Sequence, residues 1–239
     1  DALVVLIAQE AKFSGKGDDA ISQMVGHAIK AGDFDGKAGK LLGSYRPPGI
    51  AATRLVLAGV GDGSPRNVRA AIAAAVNNLK GGSAKRAVVS FSALVNVSGD
   101  VVRSGVLACA DASYTYTTTK SKATTPALER VVFAVDAVAA VRVGFDKGVG
   151  LAKGTALARE WGNRPSNYAT PTLLANVAKE LGKLPKISVD VLGPREVAKL
   201  GMGSFIAVAQ GSAQPLRFIV LRYDGAARAE APVVLVGKG

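Results

Sequence analysis

Residues 54–82 read RLVLAGVGDGSPRNVRAAIAAAVNNLKGG. A short apolar run, Arg54–Val60, breaks at a glycine-rich turn; Ser64 then stands as an N-cap with Pro65 at the first helical position, and Gly81-Gly82 ends the helix after Leu79. Strand, tight turn and helix in one short stretch are the repeating unit of layered α/β architecture. Working outward, further strands are expected at Ala2–Ala8, Arg86–Phe91, Arg130–Val135, Ile187–Leu192, Arg217–Tyr223 and Val233–Val236, with helices between them. Asp19–Ala31 puts Ile21, Met24, Val25, Ala28 and Ile29 on one face, with His27 at its margin. Asp146–Trp161 reads as a connecting helix and Thr172–Leu181 as another, while Tyr114–Lys120 fits either a strand or an extended loop. The fold class is therefore α/β: an N-terminal α/β domain with a mixed, largely parallel sheet over residues 1–145, then over residues 146–239 a linker helix and the beginning of a second α/β domain with a mainly parallel sheet.

Composition narrows the setting. At 239 residues, 49% hydrophobic but only 5% aromatic, the chain can bury a sizeable core made mainly of Ala, Val, Leu and Ile. Cys109 is the single cysteine, so no intramolecular disulfide can form, and a reducing compartment is expected. No stretch approaches the ~18 apolar residues of a membrane span, and no basic segment precedes the first strand as a signal peptide requires. A soluble cytoplasmic protein with no membrane partner follows. The net charge of +12 permits a nucleic-acid surface, but the excess is shared evenly between the two halves and forms no arm or run, which suits a generally basic surface better.

Most short motifs dissolve on inspection. Gly59-Val60-Gly61-Asp62-Gly63 has the position of a dinucleotide-binding turn, but Ser64 stands where its last glycine should be. Glycines that allow a tight strand-to-helix turn explain it better, although a phosphate could still visit that helix start. Gly15-Lys16-Gly17, beside Lys12, Asp18 and Asp19, reads as a solvated loop. No Walker A lysine and no G-x-S-x-G serine exist, Cys109 within Val106–Ala110 looks like a small buried hydrophobe, and His27 lacks partners for a metal site. By contrast Trp161–Thr172, WGNRPSNYATPT, is a well-specified loop: Pro165 and Pro171 fix φ, Asn163 and Asn167 suit turns, and Thr170-Pro171 caps the next helix.

That loop opens a series of blocks: NRPSNYATPTLLANVAKEL at 163–181, LGMGSFIAVAQGS at 200–212, LRFIVLRYDG at 216–225 and PVVLVGKG at 232–239. In this order they resemble the leucyl aminopeptidase (cytosol aminopeptidase) family of two-metal exopeptidases. Residues 1–145 carry no such signature, though their α/β pattern is compatible with that family's variable N-terminal domain.

The resemblance implies a metalloprotease: a hydrolase releasing N-terminal residues, leucine preferred, from peptide substrates. Two divalent cations, zinc or manganese, would polarise the scissile carbonyl while a bridging water attacks. Lys238 matches the family's ligating lysine in V-G-K-G. A lysine ligates only as the neutral amine, so the cation's field must displace its proton. Its flanking glycines leave room for the approach. The remaining ligands, a second lysine and a bicarbonate-holding arginine lie downstream in relatives. No catalytic residue and no organic-cofactor residue is therefore assigned within the chain. The residues given are expected to be part of a longer polypeptide and inactive alone. The resemblance also implies a homo-hexamer and, as an alternative role found in some bacterial members, architectural or regulatory DNA binding.

Overall fold

The computed structural model describes residues 1–9, 11, 20–227 and 229–238. They form two compact units, Asp1–Gly162 and Asn163–Gly239. In the first, strands β1 (Ala2–Ile7), β2 (Leu41–Tyr45), β3 (Arg54–Gly59), β4 (Arg86–Ser90) and β5 (Arg130–Ala134) make one sheet in the order β2-β3-β1-β4-β5. All neighbours are parallel except β2 against β3, so the sheet is mixed and largely parallel, as the sequence implies. Its helices are α1 (Ala20–Ala31), α2 (Pro65–Lys80), α3 (Gly99–Ser113) and α4 (Val138–Asn163).

Parallel sheets bury both faces, and the central strands show it. Along β1 and β3 alternate residues serve two cores. Val4, Leu6, Val56 and Ala58 join Val68, Ile72, Val76 and Leu79 of α2, while Val5, Ile7, Leu55 and Leu57 join Val25 and Ala28 of α1 and Phe34. Each fully buried leucine, isoleucine or valine contributes about 1.5–3 kcal/mol, so these two layers carry most of the unit's stability. Three of the scarce aromatic residues group together: the Phe91 and Phe133 rings lie 5.3 Å apart, and Phe133 and Phe145 6.3 Å.

α2 starts and stops where Ser64-Pro65 and Gly81 place it, but Ser64 makes no side-chain cap. Asp62 instead braces the turn before the helix: its Oδ1 accepts from the Ser64 N–H at 2.9 Å and from Asn67 Nδ2 at 2.8 Å. α3 uses its cap as the rules prescribe, the Ser98 hydroxyl accepting from the Val101 N–H at 3.3 Å. Tyr114–Lys120, left between strand and loop, contains no strand.

α4 runs unbroken through residue 145, where the sequence places the division, and the compact units part at Gly162 and Asn163. Glycines let the early turns of this helix approach α3 closely. A Cβ on Gly144 would stand 2.1 Å from the Gly99 carbonyl oxygen, and one on Gly148 3.0 Å from Val106 Cβ; without them α4 lies backbone to backbone on the start of α3.

The second unit holds α5 (Pro171–Leu181), β6 (Ile187–Leu192), α6 (Pro194–Lys199), α7 (Gly203–Ala209) and β7 (Phe218–Tyr223). Thr170 caps α5 as expected, its hydroxyl accepting from the Leu173 N–H at 3.3 Å. The unit is α/β, and its described strand pair, β6 with β7, is antiparallel; a mainly parallel sheet would need further strands beside these. Phe205 of α7 meets Phe218 edge to face at 5.5 Å, tying the short helices to the sheet.

Candidate metal centre

Lys238 is the one side chain that sequence reading singles out as a ligand. Residues 231–238 form neither helix nor strand, and Val233, Val234, Leu235 and Val236 are 90, 73, 93 and 94% exposed. Lys238 is exposed with them, and Gly239 lies outside the described residues. The strand expected at Val233–Val236 is thus corrected to an unpaired segment. A strand exists only through its ladder; β6 and β7 pair with each other, and no other described strand offers this run a partner. Four consecutive apolar residues have the pattern of a strand buried on both faces, and here neither face is covered.

A cation centre needs several converging donors. Among the described residues no group of three or more His, Cys, Asp or Glu side chains could hold a metal ion. Lys238 can supply a single nitrogen. The described residues therefore do not by themselves fit a two-cation centre.

His27 is exposed on α1, in keeping with a solvated helix position. Cys109, on α3, packs against the larger core, and burial pushes its thiol up to about 12. The thiolate is the nucleophile, so this thiol is inert at neutral pH. Alkylation by iodoacetamide at pH 8 is expected to be at least ~100-fold slower in the folded chain than in urea, whereas equal rates would show an accessible thiol. The sign of the pH effect follows: an unfolded thiol loses its proton near ~8.5, so the stability held by the neutral form is complete below that pH and is lost as the pH rises toward the folded value.

The Gly59–Ser64 turn is set by its own backbone. Gly61 and Gly63 take left-handed φ values of 57° and 74°, and a Cβ on Gly59 would sit 2.2 Å from the Lys37 carbonyl oxygen. Asp62 already takes the Ser64 N–H, which also holds its carboxyl below the usual carboxylate range, with Asn67 adding to the effect. A carboxylate at the helix start is the opposite of a phosphate cradle. Gly15-Lys16-Gly17 lies outside the described residues. What sequence reading misses is the polar cluster around Asp111. Its partners Arg69 and Arg159 stand 42 and 48 positions away, and no local spacing rule connects them.

Residues 4–123 match the description "Cytosol aminopeptidase family, N-terminal domain", and residues 156–239 match "Cytosol aminopeptidase family, catalytic domain". A "Probable cytosol aminopeptidase" of Polaromonas sp. strain JS666 is 59% identical over 239 residues, all of this chain and 47% of the relative. Another of the same name, from Polaromonas naphthalenivorans, is 58% identical over 240 residues, covering 100% of this chain and 46% of its own length. The chain thus spans about half the length of these curated relatives. Among solved structures, "Bottromycin maturation enzyme BotP in complex with Mn" superposes with a TM-score of 0.74 at 23% identity, over 94% of this chain and 45% of that one. A tomato leucine aminopeptidase variant gives 0.75 at 24% identity, over 92% and 47%. At these identities the two superpositions speak for the fold alone.

Proposed function

Since the chain belongs to the cytosol aminopeptidase family, we propose that in a polypeptide of its relatives' length it serves a metal-dependent aminopeptidase that releases N-terminal residues, leucine preferred, from peptides. The observation that carries this reading is the pair of family matches in chain order, supported by relatives at 59 and 58% identity along the whole chain. Lys238 is proposed as one nitrogen ligand of a two-cation centre whose other donors lie outside this chain. When bound, such cations polarise a carbonyl and lower the pKa of a water. The chain's own contribution is to present an amine between two small residues, where a cation can approach the backbone closely. Manganese, present with one solved neighbour, is the first ion to test, and zinc the second.

A homo-hexamer in the cytoplasm completes the proposal. No helix among the described residues is long and apolar enough to cross a membrane. The DNA-binding alternative has no comparable observation behind it; Lys37, Arg69, Arg103, Arg142, Arg159 and Lys183 are each engaged with a carboxylate.

Leucine-amide hydrolysis tests the reading. A polypeptide of the relatives' length is expected to turn over substrate, to lose that activity to a chelator and to regain it with Mn or Zn. The 239 residues alone are expected to show no turnover. Activity of the shorter chain, or chelator-resistant activity of the longer one, would overturn the assignment of the missing ligands.

A further inference from the structure

α4 carries four helical glycines between Gly144 and Gly154, and only two of them have a packing reason. A Cβ on Gly144 or Gly148 would strike α3, whereas one on Gly150 or Gly154 would meet nothing within 4 Å. Glycine in a helix interior weakens it relative to alanine, and here no contact compensates. From Gly150 to Ala158 every residue except Ala152 is exposed. A solvated, glycine-weakened stretch thus lies between two pinned ends.

The near end is held by Val141, Gly144 and Gly148, all buried. The far end is held by polar contacts. Asp111, at the end of α3, receives Arg69 of α2 at 2.6 Å and Arg159 of α4 at 3.2 Å. The Arg159 guanidinium also lies over the Tyr114 ring, 5.5 Å from its centroid. Next to it Glu160 accepts from the Tyr114 hydroxyl at 3.4 Å and from the Thr118 hydroxyl. The hydroxyl-rich stretch that begins at Tyr114 is thereby given a role: it forms one wall of this cluster.

We propose that α4 is a hinged element. The Asp111 and Glu160 contacts act as a latch that holds its last turns on α2 and α3, and the helix bends around Gly150 and Gly154 when the latch opens. The arginine side chains in the latch are 51 and 41% exposed, so salt and water compete with both ion pairs and the closed state is readily exchanged for the open one. This inference is independent of the metal reading, because none of its residues is a proposed ligand.

Hydrogen exchange on the 239-residue chain decides it. In Asp111→Asn, which keeps volume and removes charge, amides of residues 150–163 are expected to exchange about tenfold faster while Val68–Leu79 of α2 stay unchanged. Adding Gly150→Ala and Gly154→Ala to that variant is expected to restore slow exchange, because the helix then resists bending without the latch. Unchanged exchange at 150–163 would overturn the latch, as would acceleration of α2 to the same degree, which would make Asp111 a general support of the fold. Failure of the two alanines to restore protection would overturn the hinge.

Discussion

Replacing Lys238 with methionine in a polypeptide of the relatives' length is expected to lower kcat/KM for leucine amide by about a thousandfold, the loss of roughly 4 kcal/mol of transition-state stabilisation that a missing metal donor entails. Methionine keeps an unbranched chain of similar length but offers a soft thioether in place of a hard amine donor. In the 239-residue chain, where Lys238 is exposed, the same substitution should leave the far-UV spectrum and unfolding midpoint unmoved. Lys238→Arg should fail as badly, since a guanidinium stays charged and cannot ligate. Rescue by arginine would show that only positive charge matters and would remove Lys238 from the metal centre.

The second large effect is on stability. Gly144→Ala is expected to destabilise the first unit by about 3 kcal/mol, toward the upper end of overpacking costs, and to lower its Tm by roughly 10 °C. The new Cβ would face the Gly99 backbone at 2.1 Å from its oxygen, 2.5 Å from its carbonyl carbon and 2.6 Å from its Cα, so no flexible side chain can yield. Gly154→Ala is the matched comparison. Nothing lies within 4 Å of its Cβ, and the change should stabilise by about 0.5–1 kcal/mol through helix propensity. Urea unfolding of both variants reads the difference, and similar midpoints would mean that α4 does not lie on α3 as described.

The legible parts of the fold are those where local chemistry and tertiary role agree. The runs beginning at Ala2, Arg54, Arg86 and Arg130 became β1, β3, β4 and β5, and Ile187–Leu192 became β6 with the same bounds. In β1 and β3 that apolar pattern reflects burial on both faces, which a sequence records directly; β5 and β6 are half-buried and were legible from their β-branched runs. β2 escaped because LLGSY is half exposed and short, and only its antiparallel register with β3 makes it a strand. α3 begins at a glycine and contains another that accommodates Ile72 and Phe133, so packing rather than propensity accounts for its composition. The opposite error arose at Val233–Val236, where a strand-like pattern has no partner among the described residues.

The candidate site was legible only as a motif. V-G-K-G identifies Lys238 through its resemblance to a family, not through physics, since three such residues also occur at Gly15-Lys16-Gly17. The latch around Asp111 was not legible at all. It joins three helices through side chains that only the fold brings within reach.

The most direct measurement is anomalous diffraction from crystals of a polypeptide of the relatives' length grown with manganese. An anomalous peak about 2.0–2.3 Å from Lys238 Nζ, with a second ion ~3.5–4 Å away, is the result predicted. Two ions bound elsewhere, with the Lys238 amine turned to solvent, would contradict it.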